Sequence, residues 1–200
     1  MFISFEGVDG SGKSTQVSLL ATALRGRDRE VLEIREPGGT PAAEQVRKVL
    51  ADPEVPLDPV AELMLFLAAR ADLVGAVLRP ALDAGTWVVS DRYADSTEAY
   101  QGHARGLGPD RVRELNRAAT GGLMPDLTIL LEVDPGLALD RAVDGGRFEA
   151  EGEEFQRRVR DAYREIADRD GERIVVLDGS GSEQEVHRAV LDAVEARVGS

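Results

Sequence analysis

The most chemically specific stretch of the chain is Gly7-Val8-Asp9-Gly10-Ser11-Gly12-Lys13-Ser14, followed by Thr15. It satisfies every fixed position of G-x-x-x-x-G-K-[ST]. Glycines at this spacing let backbone amides turn inward around phosphate oxygens, and a helix starting at Lys13 adds the positive end of its dipole. The Lys13 ammonium can reach β- and γ-phosphates, and the Ser14 hydroxyl can ligate Mg²⁺. The chain has 22 Arg and only two Lys, Lys13 and Lys48, so a lysine stands where a compact point charge is wanted. Asp9 is the odd member, because a carboxylate inside an anion-binding loop is unfavourable near phosphates. It is either an Asp-Gly turn residue or an acceptor for a sugar hydroxyl of a second substrate.

These residues need a frame. Apolar runs predict strands at 1–5, 31–34, 86–90, 127–133 and 174–177. Apolar residues at the 3.6-residue period predict helices at 13–25, 41–50, 60–84, 96–101, 109–119, 135–143, 153–169 and 183–198, the third disturbed near Gly75 and Pro80. Short, wholly apolar strands separated by helices indicate an α/β fold, a five-stranded parallel sheet with helices on both faces. Residues 1–200 are expected to form a single domain with a short lid at about 144–152 (DGGRFEAEG), whose one cation is Arg147. Ligands of such sheets bind beyond the carboxyl ends of the strands. That directs attention to 6–15, 35–40, 91–92 and 134–135.

Composition removes several classes of function. There is no cysteine, and the two histidines, His103 and His187, are far apart, which excludes disulfide frameworks, thiolate chemistry and a histidine-built zinc site. The longest strongly apolar run, Leu63–Ala69, is far short of the roughly 20 residues a membrane span needs. The N-terminus meets Glu6 at once and lacks a basic leader. A cytoplasmic protein with no membrane partner is expected. A net charge of −13 disfavours nucleic-acid binding, so any anion must be held by local positive groups. A GTPase switch needs Asn-Lys-x-Asp, whereas the sole Asn, Asn116, is followed by Arg117.

Beyond the loop, further motifs occur in a fixed order: Arg35–Thr40 (REPGGT), Phe66–Leu73 (FLAARADL), Asp91–Gly102 (DRYADSTEAYQG), Pro125–Val133 (PDLTILLEV) and Gly146–Glu149 (GRFE). With Glu6–Thr15 (EGVDGSGKST), they resemble the thymidylate kinase family nearly end to end. The resemblance implies a phosphate-loop kinase fold, phosphorylation of dTMP to dTDP by ATP with Mg²⁺, and a homodimer. It implies that residues 7–15, with Arg141, hold ATP, and that Asp9 contacts the acceptor's 3′-hydroxyl. Phe66 would stack on thymine, Arg70 hydrogen-bond the base, and Thr97 and Gln101 lie near its Watson–Crick edge. Tyr100 would sit where a ribose 2′-hydroxyl clashes.

Read as residues, Arg35, Arg47, Arg70 and Arg92 lie near strand ends or on adjoining helices, and guanidinium pairs suit phosphate. Taken alone, Arg47 reads as a surface ion pair on an amphipathic helix, and Phe66 as a core residue. Asp91 either joins Ser14 in the Mg²⁺ shell or pairs with Arg92 or Lys13. Some family members carry Arg at the position of Gly10; others supply lid cations, here Arg147 with Arg141. The catalytic set is then Lys13, Arg92, Arg147 and Asp9. A phosphate acceptor, with a second pKa of about 6, is mostly dianionic at neutral pH and needs no general base. The competing readings are a uridylate/cytidylate or deoxynucleoside kinase of the same fold, or a non-catalytic ATP-binding regulator.

Overall fold

Five short strands form one wholly parallel sheet in the order β2-β3-β1-β4-β5 in the computed structural model, which describes residues 1–141 and 151–199. They are β1 (Phe2–Glu6), β2 (Val31–Arg35), β3 (Trp87–Asp91), β4 (Leu127–Glu132) and β5 (Ile174–Asp178). Between them run α1 (Lys13–Arg25), α2 (Pro41–Ala51), α3 (Pro59–Leu73), α4 (Arg79–Asp83), α5 (Ala94–Thr97), α6 (Pro109–Thr120), α7 (Pro135–Arg141), α8 (Glu153–Arg169) and α9 (Glu183–Val198). The predicted lid, with Arg147, lies outside the described residues except for 151 and 152.

The two-residue period of a strand divides the core. Ile3, Phe5, Val89, Ile129 and Leu131 pack with Val17, Leu20 and Leu24 of α1 and Val186, Val190 and Val194 of α9. The opposite face is not wholly apolar, contrary to the sequence expectation. Ser4, Glu6, Ser90 and Thr128 lie there fully or almost fully buried. They are tolerated because they bond to one another and to polar groups beneath α5 and α8. Ser4 Oγ lies 2.9 Å from Thr128 Oγ1, and Arg173 donates to both Thr128 Oγ1 and Asp95 Oδ2 at 2.7 Å.

The expected helix at 60–84 is continuous in direction but changes pitch. A π-helical turn, Val74–Leu78, joins α3 to α4, and the Arg79 N–H reaches back to Val74 O. The wider turn accommodates Pro80, which has no N–H and whose ring would crowd the preceding turn of an α-helix. The helix expected at 96–101 is α5 followed by a second π-helical stretch, Glu98–Ala104, which carries Tyr100 and Gln101.

Helix starts separate structural caps from an open one. Thr40 caps α2, Asp58 caps α3, and Ser182 with Glu185 forms a capping box on α9. α1 begins at Gly12, at φ 91°, with no side-chain cap. Its first N–H groups are therefore left for an outside acceptor.

Candidate active site

The phosphate loop leaves the carboxyl end of β1, the central strand, and enters α1. Gly7 is held at φ 142°, and a Cβ there would lie 2.6 Å from Leu131 O and 2.8 Å from Ser11 Oγ, so β4 approaches too closely for any side chain. Lys13 curls over the loop, its Nζ donating to Gly7 O at 3.1 Å and Val8 O at 2.8 Å. Burial, and then Arg92, pull its pKa down to about 8, while Asp91, Asp9 and Glu6 pull it back up. A buried ammonium resting on its own loop's carbonyls is a cation held ready for phosphate.

Asp9 is more than a turn residue. Its carboxylate accepts from Arg92 Nη2 at 2.6 Å and from the Tyr100 hydroxyl at 3.0 Å. Burial alone would raise its pKa; the Arg92 and Lys13 charges and these hydrogen bonds prevail and hold it below the ordinary carboxylate value. Arg92, in the left-handed region at φ 72°, points into the site and also bonds Gly7 O, Ser96 Oγ and the Tyr100 hydroxyl. Its guanidinium lies 4.9 Å from the Tyr100 ring centre.

Beside this group, Ser14 Oγ donates to Asp91 Oδ2 at 2.5 Å. Two oxygen ligands suited to Mg²⁺ thus meet at the loop's mouth. Among the described residues no group of three or more His, Cys, Asp or Glu could hold a metal. Arg35, at the end of β2, is exposed. Arg47 donates to Pro37 O at 2.9 Å, so it is not the simple surface ion pair its helix suggests. Burial and then Arg35 disfavour the Arg47 cation, with Arg92 adding to this, while Glu44 and Asp91 favour it. The charges of Arg35 and Arg92 thus both reach Arg47.

Phe66, on α3, is half-buried and joins none of the four apolar clusters formed by the described residues, unlike a core residue. Thr97, Tyr100 and Gln101 are buried on α5 and the π-helical stretch after it. Arg70 is 1% exposed and fully engaged: with Glu36 through Nε and Nη2 at 2.7 Å, Thr97 Oγ1 at 2.8 Å, Asn116 Oδ1 at 2.6 Å and Tyr93 O at 3.0 Å. Arg141 donates to Gly179 O and Ser180 O, both at 3.0 Å, tying α7 to the loop after β5. A Cβ on Gly179 would sit 3.3 Å from Ser11 O, so that loop borders the phosphate loop.

Several residues of the site escaped the sequence reading. Ser96 and Tyr163 bond Arg92 and Glu6; Glu62 holds Gln101 Nε2 at 2.9 Å and is itself bonded by Arg105; Asn116 supports Arg70. Glu6 did carry a signal, a carboxylate ending an apolar strand just before a glycine loop. Tyr163 and Glu62 sit on helices at core-like positions and carried none.

An uncapped helix that follows a glycine loop at the end of the central parallel strand, with arginines at the carboxyl ends of β3 and β2, defines a phosphate-loop nucleotide kinase. A family model described as Thymidylate kinase matches residues 5–190. The chain is 44% identical over 208 residues to the thymidylate kinase of Chlorobaculum tepidum, covering 98% of this chain and 97% of that one. It is 47% identical over 210 residues to that of Nitratidesulfovibrio vulgaris, covering 100% and 94%. The crystal structure of thymidylate kinase from Ehrlichia chaffeensis superposes with a TM-score of 0.79 at 35% identity, covering 97% of this chain and 98% of that one. The chain belongs to the thymidylate kinase family, and its activity is the ATP-dependent phosphorylation of dTMP to dTDP.

Proposed function

We propose that residues 1–200 act as one catalytic domain that transfers the γ-phosphoryl group of ATP in line to the phosphate of dTMP. The observation that carries this reading is the buried Lys13 of an uncapped helix N-terminus beside Arg92, which is held by Asp9 and Gly7 O at the mouth of the loop. A phosphate dianion there meets positive charge from both side chains. The phosphate loop, residues 7–15, takes the triphosphate, and Lys13 follows the transferring group. Arg141 and the loop after β5 border the adenosine. Arg147 supplies a lid cation as the site closes and excludes water.

On the acceptor side, Arg92 and Arg35 bind the dTMP phosphate and Arg47 supports them. Asp9, aligned by Arg92 and Tyr100, accepts from the 3′-hydroxyl. Phe66 stacks on thymine, and Arg70, Thr97 and Gln101 form the wall at its Watson–Crick edge. Arg70 already spends its five donors inside the protein, so its part in base recognition is to hold Thr97 in place. Tyr100, bonded on both sides of its hydroxyl, leaves no slack for a ribose 2′-hydroxyl. Ser14 and Asp91 would hold Mg²⁺, which would supply positive charge against the developing negative charge on the phosphates.

A coupled assay with ATP against dTMP, dUMP, UMP, CMP and thymidine tests the assignment. dTMP should turn over fastest, and chelation of Mg²⁺ should abolish turnover. Equal or faster use of another acceptor would reject it.

The protein acts as a homodimer. The paired helices α2 and α3 expose Val49, Val60 and Met64, and an apolar face of this kind is covered most simply by a second copy. Light scattering at micromolar concentration should give twice the chain mass, and Met64→Glu should halve it.

A further inference from the structure

Glu62 takes no part in the chemistry described so far, yet it is a carboxyl only 2% exposed in the first turn of α3. A buried acidic side chain is costly unless it is paired. Its partner is Arg105, at the end of the second π-helical stretch, whose Nε donates to Oε1 and Nη2 to Oε2, both at 3.3 Å. Arg105 is itself held in place. Its Nη1 donates to Glu151 Oε1 at 2.6 Å, and its guanidinium carbon lies 5.0 Å from the Phe155 ring centre. The third contact of Glu62 is the informative one. Its Oε1 accepts from Gln101 Nε2 at 2.9 Å, and Gln101 is 1% exposed.

A side-chain amide carries its donors on one branch and its acceptor on the other. Glu62 is the anionic half of an ion pair, and an ionised carboxylate accepts and never donates. Turning the Gln101 amide over would set two acceptor oxygens against each other inside the protein, with no proton between them. Gln101 Nε2 is therefore held on Glu62, and Gln101 Oε1 points the other way. That oxygen receives no hydrogen bond among the described residues. It is an acceptor whose direction is decided before any ligand arrives.

We infer that Glu62 is a positioning residue that sets base specificity: by holding the Gln101 amide nitrogen it presents the amide oxygen to the acceptor base, so the site takes a base with a donor at N3, as thymine and uracil have, and opposes cytosine, whose N3 is an acceptor. This rests on the reading of Gln101 as part of the wall at the Watson–Crick edge. A site that leaves a buried polar group unpaired rejects the wrong base far more strongly than a poor apolar fit does.

Glu62→Gln keeps the shape and removes the constraint. The amide now at position 62 has one oxygen, and either placement turns its nitrogen toward one N–H of Arg105. The two placements are therefore close in energy, and Gln101 is free to take either orientation. dCMP and dUMP isolate the N3 edge, because both carry deoxyribose and neither carries the methyl group. The kcat/KM for dCMP should rise about tenfold, the effect of one hydrogen bond in place of an opposed pair. Those for dUMP and dTMP should each fall only about twofold, since about half of the Gln101 amides still offer oxygen, so the ratio of dTMP to dUMP stays constant. The KM for ATP should not change. Loss of a merely structural side chain lowers the use of every acceptor and produces no gain for dCMP. Glu62→Met, in which Arg105 keeps Glu151, removes the fixing group altogether and should give the same split; if Glu62→Gln does not fold, Glu62→Met decides. No rise for dCMP, or a changed ratio of dTMP to dUMP, overturns the inference. Gln101→Leu separates the two layers. If it lowers the preference for dUMP over dCMP while Glu62→Gln does not, only the role of Glu62 falls; if it leaves that preference unchanged, the reading of Gln101 falls with it.

Discussion

Replacing Lys13 by Met should lower kcat by about 10³-fold, the scale seen when a preorganised charge at a transition state is removed, and should leave the protein folded. The two halves of this expectation have separate causes. The ammonium rests on Gly7 O and Val8 O, at the mouth of the glycine loop. Its removal takes away the one lysine of the loop, and no arginine can fill the place, because a planar guanidinium needs more room. Stability behaves differently. The folded pKa of about 8 lies below the ordinary 10.5, so the cost of burying the cation is fully present below pH 8 and fades as pH rises toward 10.5. It amounts to about 3 kcal/mol by linkage. Met carries no such cost. Urea melts should therefore show Lys13→Met no less stable than the wild type at pH 7, with the wild type gaining relative to it between pH 8 and 10. A Lys13→Met protein that keeps more than a tenth of wild-type kcat would refute the role given to Lys13.

The phosphate loop was legible because every fixed position carries a backbone or charge requirement that few other residues meet. Gly7 under Leu131 O is one example. The strands were legible as apolar runs, but their polar minority was not understood from pattern alone. Ser4, Glu6, Ser90 and Thr128 fall on one face, and only the packing of α5 and α8 shows what satisfies them. The helix expected at 60–84 with a disturbance near Gly75 and Pro80 does change pitch there, in the π-helical turn Val74–Leu78. A five-residue hydrogen bond to Val74 O let the chain continue. Arg47 and Phe66 were ambiguous for a more general reason. Helical periodicity reports which face is covered, not what covers it. A half-buried Phe beside a site and a core Phe leave the same trace in the sequence.

The same limit applies to Arg70, for which the family resemblance implies a hydrogen bond to the base and the fold shows a guanidinium bonded within the protein. Its guanidinium joins α3 to Glu36 after β2, Thr97 on α5, Asn116 on α6 and the Tyr93 carbonyl. The wall proposed to face the acceptor base is thus held together by one buried cation. The arrangement fixes geometry and adds little net stability, since two buried charges lose much of what they gain by leaving water. Catalysis by positioning needs that fixity, because the acceptor phosphate and the ATP must line up without covalent help.

Arg70→Ala should accordingly destabilise the protein by about 3–5 kcal/mol, the cost of leaving a buried partner charge uncompensated. Glu36 is the residue left behind. Burial raises its pKa already, with only Arg70 opposing, and its Oε1 has no hydrogen-bond partner among the described residues. Without Arg70 the value must climb further. A carboxyl whose folded pKa exceeds its unfolded one is destabilising when ionised, so the penalty is complete above the folded value and shrinks as pH falls toward the unfolded one. The stability gap between Arg70→Ala and wild type should therefore narrow from pH 8 to pH 5. Changing both partners, Arg70→Met with Glu36→Leu, should recover much of the loss, because neither buried charge remains. Thr97 and Asn116 would still lack their donor, so the double variant should fold yet bind dTMP poorly, with its KM for ATP intact. A gap that does not vary with pH would mean that the cost of losing Arg70 is packing, not the charge on Glu36.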